Sequence, residues 1–292
     1  MDIERRAGGA GARWLPSLAL ALNALTWGVS WWPFRQLQAA GLHPLWATAL
    51  IYLVAAAVIG LRRPLAFGQV LRTPALWVLV LASGTTNACF NWATTLDDVV
   101  RVVLLFYLMP LWAVLLARVL LGERLTALAL LRVALALAGA AVVLWPAGGG
   151  WPLPRGLADG LAIVGGFSFA LNNVMLRREA ARPAAARSLA MFCGGALVAA
   201  LLALLLGAPA PPAPAPGWVA GAALLALAFL AGNLALQYGA ARLPANATAV
   251  IMITEVLFAA VSALLLGATQ PSASLALGGA LIVAAALLAA RG

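Results

Sequence analysis

The sequence of 292 residues contains few charged side chains, since Asp, Glu, Lys and Arg together make up 9% of it. A water-soluble domain carries about 25% charged residues, so the composition excludes a soluble enzyme. Hydrophobic residues account for 65% of the chain, which excludes intrinsic disorder. The two values together predict an all-α polytopic membrane protein, because a helix pairs all its backbone groups internally.

Other absences exclude particular chemistries. There is no lysine, because all 18 basic residues are arginine, and this excludes Lys-based covalent catalysis. The two cysteines, Cys89 and Cys193, both lie inside apolar runs and make neither a disulfide framework nor a metal site. The only histidine, His43, is insufficient for a His-ligated metal centre. We therefore expect no catalytic residues, no metal and no cofactor.

Apolar runs long enough to cross a bilayer occur ten times, and about 20 residues are needed for each crossing. Turn-forming residues separate them, as at Pro146 to Gly150 and Pro209 to Gly217. The first run has no small-residue cleavage site after it, so it is interpreted as a retained helix. The ten predicted spans are 14–34, 44–61, 74–95, 99–118, 127–145, 156–176, 188–207, 217–240, 245–267 and 273–290.

The arginines predict the orientation, because cytoplasmic loops are enriched in Lys and Arg. With the N-terminus in the cytoplasm, 14 of the 18 arginines lie on the cytoplasmic side, whereas only Arg35 and Arg155 lie outside. Both termini are then cytoplasmic, as in a multi-pass protein of the bacterial inner (plasma) membrane. The net charge of +10 is explained by this topology, and no nucleic-acid partner is expected.

An internal repeat relates the two halves of the chain. Leu120-Leu121-Gly122 and Leu265-Leu266-Gly267 end the fourth and ninth spans at an offset of 145, which places Pro110 opposite Glu255. We predict two five-helix repeats, 1–145 and 156–292, joined by an extracytoplasmic linker at 146–155. Because five spans is an odd number, the second repeat is inverted, as in secondary transporters with a substrate site near the midplane.

These motifs resemble the EamA type of the drug/metabolite transporter superfamily. The similarity rests on the five-plus-five repeat, Trp27-Gly28 in the first span, and Pro110 followed by Leu121-Gly122-Glu123 after the fourth. The second half departs from the family pattern, with Glu255 where a proline is usual and Ala268 where an acidic residue is usual. Within the superfamily, the aromatic-rich middle is similar to the aromatic amino acid and paraquat exporter branch. The resemblance implies alternating access around a central cavity.

Polar side chains inside the spans predict which helices face that cavity, since buried polar groups in lipid usually line a water-filled path. Spans 1, 3, 4, 6, 8 and 9 carry most of them, whereas spans 5 and 10 carry almost none. The alternative for each residue is packing or interhelical hydrogen bonding. The predicted substrate-binding residues are Trp27, Thr85, Asn87, Trp92, Tyr107, Asn173, Asn233, Gln237, Tyr238 and Glu255.

Two residues have a further predicted role. Glu255 is a carboxylate about half way along the ninth span, where an ionised group is costly unless it is paired or hydrated. Glu255 therefore serves either as a cation or proton-coupling site or as a hydrogen-bonded structural residue. Pro110 is interpreted as a hinge that kinks the fourth span, and the alternative is a tolerated membrane proline.

The sequence therefore favours a secondary transporter that exports small amphipathic metabolites, namely aromatic or other neutral amino acids. An exporter of cationic drugs or quaternary ammonium compounds is the alternative. An intramembrane enzyme acting on lipid is the alternative of a different class, and the incomplete motif Gly166-Phe-Ser-Phe-Ala170 gives it little support. The expected partners are the substrate, the lipid bilayer and a coupling proton, in a monomer or homodimer.

Overall fold

The computed structural model describes residues 4–97, 99–124, 126–145, 156–266 and 273–291. Within these ranges every regular element is an α-helix. The thirteen helices of the described part are α1 (Glu4–Ala39), α2 (Pro44–Arg62), α3 (Leu65–Arg72), α4 (Pro74–Leu96), α5 (Val99–Phe106), α6 (Met109–Leu121), α7 (Ala127–Leu144), α8 (Leu157–Arg178), α9 (Ala184–Leu205), α10 (Pro216–Ala240), α11 (Ala245–Met252), α12 (Glu255–Leu265) and α13 (Ala273–Arg291).

Most helices follow the predicted apolar runs closely, with three kinds of difference. Helix α1 (Glu4–Ala39) extends beyond both ends of the run predicted at 14–34. The short helix α3 lies between the second and third runs and was not predicted. The fourth and ninth runs are each divided into two helices, α5 with α6 and α11 with α12. The predicted linker at 146–155 lies outside the described residues.

Four described helices, α2, α8, α9 and α10, are long and apolar enough to cross a membrane. The pair α3 and α4 qualifies as a fifth when taken together, although the two helices meet at an angle of 97°. Shorter apolar helices include parts of α6, α7, α12 and α13. The protein is therefore a multi-pass helical membrane protein, and the count of ten spans stays a prediction.

The helices form packed groups that cross the boundary between the two halves. Helix α4 packs against α8 and α9, and α9 also packs against α2. On the other side, α1 packs against α10 and α12, while α7 pairs with α13. Helix α1 is held to α12 by a hydrogen bond of 3.0 Å from the Trp31 indole to the Ser262 hydroxyl. Every one of these contacts joins the first half of the chain to the second.

Candidate substrate site

A small void lies at the centre of the bundle, between α1, α4, α8, α9 and α10. Its volume is about 10 Å³, close to the minimum that holds one water molecule. The centre is therefore nearly closed in this conformation. The void is lined by Trp27, Ser83, Thr86, Asn87, Phe169, Asn172, Met191, Asn233 and Leu236.

One wall of the void is a hydrogen-bonded network around Asn87. The Tyr52 hydroxyl of α2 donates to the Asn87 side-chain oxygen, and the Asn87 amide donates to the Ser83 carbonyl at 2.6 Å. The Ser83 hydroxyl in turn donates to the Met191 carbonyl of α9 at 3.2 Å. Three helices, α2, α4 and α9, are thus held together on this side by polar contacts.

Two aromatic rings, Trp27 and Phe169, also line the void, and Trp27 belongs to a cluster of rings beside it. The Trp27 ring packs against Phe90 and Phe229 with centroid distances of 5.4 and 4.9 Å. Phe229 also packs against the Tyr52 ring at 5.8 Å. Ring faces and edges of this kind provide an apolar surface that an aromatic ligand can stack on.

Several buried polar atoms of the bundle have no hydrogen-bond partner, and two of them, Trp27 Nε1 and Asn172 Oδ1, belong to residues that line the void. The clearest case is Asn173, which is fully buried with both amide atoms unpartnered. Buried polar groups are nearly always paired, so each unpaired atom needs an explanation such as water, an ion or a ligand. Other unpartnered atoms of the bundle include Asn23 Oδ1, Tyr107 Oη, Gln237 Oε1 and Thr248 Oγ1.

The two divided spans break at corresponding positions of the repeat. Helix α5 ends at Phe106 and α6 begins at Met109, whereas α11 ends at Met252 and α12 begins at Glu255. These breaks are 146 positions apart, within one residue of the sequence offset of 145. Interrupted helices at matching positions of two inverted halves typically mark the binding site of a transporter.

Glu255 lies at one of these breaks. It is the first residue of α12 and is 3% exposed. The N-terminus of a helix carries a partial positive charge, which stabilises a carboxylate in this position. The Tyr107 hydroxyl, from the break in the fourth span, lies beside the Glu255 carboxyl without a hydrogen bond of ordinary geometry. No described arginine or histidine forms an ion pair with Glu255.

A glycine from the opposite half packs against each break. A Cβ atom on Gly28 of α1 would lie 2.7 Å from the Glu255 carbonyl oxygen. A Cβ atom on Gly166 of α8 would overlap the Phe106 carbonyl oxygen. Both positions therefore require glycine for the close approach of two backbones.

The structure brings together some of the predicted site residues. Trp27, Asn87 and Asn233 line the central void, and Tyr107 lies beside Glu255. Asn173 and Gln237 are buried at 0 and 2% exposure. They lie closer to the end of the bundle that carries Arg62, Arg63, Arg177 and Arg242, which we name the arginine-rich end.

Other predicted residues lie apart from the void. Thr85 is half-buried, whereas its neighbour Thr86 lines the void. Trp92 packs against His43 at 5.9 Å, and Tyr238 is 39% exposed with the Arg242 guanidinium over its ring. The predicted hinge Pro110 lies in the first turn of α6, directly after the break.

Tyr52 was not predicted as a site residue, because α2 is mostly apolar and was not assigned to the cavity. A signal for it existed in the spacing. Thr48 and Tyr52 are four residues apart on α2, and Asn87 and Asn91 are four apart on α4. The structure pairs them, since Asn91 donates to the Thr48 hydroxyl at 2.9 Å and Tyr52 donates to Asn87. Matched four-residue spacings place polar pairs on facing helix surfaces.

Among the described residues, no group of three His, Cys, Asp or Glu side chains is arranged to hold a metal ion. The only histidine caps α2, with its Nδ1 accepting a hydrogen bond from the Leu45 backbone at 3.2 Å. Partial burial lowers the pKa of His43 below its usual value of 6.5, which favours the neutral ring that this cap requires.

The fold is that of a multi-pass helical membrane protein. Residues 14–145 match the EamA-like transporter family, so an EamA-like transporter domain occupies the first half of the chain. The match confirms the family resemblance and indicates a membrane transporter of the drug/metabolite transporter superfamily. Members of this family are transporters and not enzymes.

A solved structure described as "Crystal structure of protein" is similar over nearly the whole chain. It has 26% sequence identity and a TM-score of 0.73, and the match covers 95% of this chain and 96% of the other. The fold similarity therefore extends through the second half, beyond the family match. No curated protein matches the chain.

Proposed function

We propose that this protein is a secondary transporter that exports small amphipathic metabolites, namely aromatic or other neutral amino acids. The observation that carries the proposal is the central void, which is lined by the Trp27 and Phe169 rings and by polar side chains, with Trp27 Nε1 and Asn172 Oδ1 lacking a partner. An aromatic amino acid has the matching chemistry, because its ring stacks on aromatic side chains. Its charged groups would pair with the indole and amide atoms that now have no partner.

The transport cycle that we propose is alternating access by two inverted five-helix repeats, 1–145 and 156–292, with ten spans in all. In this scheme α5 with α6, and α11 with α12, each cross the membrane as one interrupted span. Support comes from the matched breaks, each of which is closely approached by a glycine of the other half, Gly28 or Gly166. Both termini are then cytoplasmic in a bacterial inner membrane.

Glu255 is the proposed proton-coupling group. It is deeply buried, begins a helix and has a tyrosine hydroxyl beside it. A carboxyl group in such a setting can bind a proton in one step of the cycle and release it when substrate binds. Uncoupled facilitated export, with Glu255 as a structural residue, is the alternative for the energy source. Export of cationic drugs is the alternative for the substrate, favoured by the same carboxylate beside aromatic rings.

Efflux from proteoliposomes tests the proposal. A radiolabelled aromatic amino acid is loaded, and its efflux is followed with and without a gradient of one pH unit. Such a gradient is worth about 1.4 kcal/mol per proton exchanged, or up to about a tenfold concentration ratio of the substrate. We expect the gradient to drive efflux by the native chain but not by the Glu255→Gln variant. Glu123→Gln removes a carboxylate that follows α6 and serves as the matched control.

Two results would contradict these proposals. Efflux that ignores the pH gradient and survives Glu255→Gln would remove the coupling role and leave facilitated export. No flux of any aromatic or neutral amino acid, with flux of a quaternary ammonium compound in the same vesicles, would replace the substrate class by the cationic one.

A further inference from the structure

A second and much larger cavity opens between α2, α3, α9 and α10. Its volume is about 710 Å³, which is in the range of small-molecule sites. We name it the α2–α10 groove. Its long walls are apolar and include Val58 and Ile59 from α2 and Leu230 and Leu234 from α10. Leu234 is 46% exposed, so the groove opens on the outer surface of the bundle.

The rim of the groove is positively charged. Arg62 and Arg63 both line it, and neither forms an ion pair with a described residue. No acidic side chain lines the groove. An apolar trough with two cationic groups at one end complements a molecule that has an apolar body and a carboxylate, and it repels a molecule whose only charge is positive.

A buried hydrogen bond between α9 and α10 lies where the lining of the groove comes nearest in sequence to the lining of the central void. The Gln237 amide of α10 donates to the Ser188 hydroxyl of α9 at 2.5 Å, and Ser188 lines the groove. On α9, Met191 is one turn beyond Ser188 and lines the void. On α10, Leu236 is next to Gln237 and also lines the void.

Residues of both α9 and α10 beside this contact therefore line the two cavities. These helices belong mainly to different packing groups, since α9 packs on α2 and α4 whereas α10 packs on α1. In the proposal below, separation of the Ser188 and Gln237 side chains is the step that connects the groove to the void. The Gln237 side-chain oxygen has no partner in the closed arrangement, so opening exposes an acceptor for the incoming molecule.

We infer that the α2–α10 groove is a lateral entrance through which the substrate reaches the central void, and that the Ser188–Gln237 hydrogen bond is its gate. The inference rests on the proposed transport function and deepens it. It assigns the substrate a carboxylate that meets Arg62 and Arg63, and an apolar body that meets α2 and α10. It therefore favours amino acids over cationic drugs.

Thiol labelling tests the route independently of transport. In a chain with Cys89→Ala and Cys193→Ser, Met191→Cys places a reporter thiol at the void, and a small methanethiosulfonate reagent is applied to reconstituted protein. Ser188→Ala removes the gate hydrogen bond and should speed labelling by about tenfold, the most that one hydrogen bond of this kind shifts an equilibrium. Leu234→Trp fills the groove and should cancel the increase.

The matched control for the filled groove is Leu227→Trp. It adds the same side chain to α10 at a position that is 60% exposed and does not line the groove, so labelling should stay fast. Equal labelling with and without Ser188→Ala would overturn the gate. An equal effect of Leu227→Trp and Leu234→Trp would overturn the route. Slowing by anionic phospholipid but not by an aromatic amino acid would assign the groove to lipid and overturn the inference.

The charged rim has its own test, with an aromatic amino acid and the corresponding aromatic amine as a pair of probes. Arg62→Gln with Arg63→Gln should raise the half-saturating concentration of the amino acid up to about fivefold at low ionic strength and leave that of the amine unchanged. Arg118→Gln with Arg124→Gln is the control for lost charge. Equal effects on both probes would overturn the carboxylate assignment. If neither probe is transported but the labelling pattern holds, the proposed function fails while the route stands.

Discussion

Two helix–helix interfaces of the bundle, which we call the α4–α9 seam and the α2–α10 seam, are packed very differently. The proposed repeat makes these two interfaces equivalent. Helices α4 and α9 are in close contact, because Gly84 and Gly194 bring their backbones together. Farther along, Ala88, Ala199 and Ala203 close the same seam with small side chains. Helices α10 and α2 are the equivalent pair, and there Phe229 and Tyr52 pack ring against ring beside the open α2–α10 groove. Small residues allow close contact at the α4–α9 seam, whereas large rings separate the helices at the α2–α10 seam.

One closed and one open seam can arise from two copies of the same helical unit. In a transporter of inverted repeats, the two halves need not be in the same conformation at the same time. The α4–α9 seam has little room for motion, since its backbones touch. The α2–α10 seam contains a cavity of about 710 Å³. In the proposed cycle, the second seam is therefore the open one in this conformation.

The largest expected effect comes from adding a side-chain atom within the α4–α9 seam, which we call the tight seam. In Gly194→Ala, the new Cβ atom would overlap the Val80 carbonyl oxygen, and because that atom belongs to backbone, one helix must move. Overpacking lowers the free energy of unfolding by about 1–3 kcal/mol and occasionally more, and we expect a loss of at least about 3 kcal/mol here because the backbone atom cannot rotate away. The measurement is thermal unfolding of the purified protein in detergent.

Gly160→Ala is the control for this variant. Gly160 lies in α8 with nothing within 4 Å of an added Cβ, so alanine should stabilise the helix by up to about 1 kcal/mol. If Gly194→Ala were as stable as Gly160→Ala, the α4–α9 seam would have space for an added methyl group. The contrast with the α2–α10 seam would then fail.

An intermediate effect is expected at Tyr52, which contacts both seams. Its hydroxyl donates to Asn87 of α4, and its ring packs on Phe229 of α10. Tyr52→Phe keeps the ring but leaves the buried Asn87 oxygen without a partner, which costs about 1–3 kcal/mol. Tyr238→Phe removes a hydroxyl from a tyrosine that is 39% exposed and should cost much less. Chemical denaturation of the two variants measures the difference.

A double-mutant cycle separates the hydrogen bond from other effects. Tyr52→Phe combined with Asn87→Leu removes both partners, so the double variant should be more stable than the sum of the single losses predicts. Additive losses would mean that the two side chains do not depend on each other. The polar side of the void would then not be held by this contact.

The sequence predicted the positions of the helices well, and the reason is physical. Apolar runs end where the chain leaves the bilayer, so the run predicted at 217–240 corresponds to Pro216–Ala240. The fourth run is interrupted directly before Pro110, the residue at which a kink was predicted, whereas no interruption was predicted in the ninth run. Ile253 and Thr254 continue an apolar segment without glycine or proline, so nothing in the local composition marks the break. Glu255 was therefore placed in the middle of a helix, whereas it begins α12.

The site was predictable in residue type but not in arrangement. Trp27, Asn87 and Asn233 were recognisable as polar or aromatic side chains inside spans, and they line the void. Thr85 and Thr86 are adjacent in sequence, yet only Thr86 lines it, because the rotation of α4 decides which one faces inward. The volume of the void depends on how the helices are packed in one conformation, and a sequence does not specify this volume.

The smallest expected effect concerns the end of α2 next to the tight seam. The His43 ring packs on Trp92, and its neutral Nδ1 caps α2 through the Leu45 backbone. Burial lowers the pKa of His43 below 6.5 in the folded protein. The unfolded chain therefore binds the proton first, and the stability contributed by the neutral ring is complete above pH 6.5. It is lost as the pH falls from that value through the lower folded pKa.

The effect is small because the ring is only partly buried and solvent screens its charge. Loss of a helix cap costs about 1 kcal/mol, which sets the upper limit. Melting temperatures measured from pH 8 to pH 5 should fall more for the native chain than for His43→Asn, which keeps a side-chain cap but does not titrate. Identical pH profiles would show that His43 does not sense the proton.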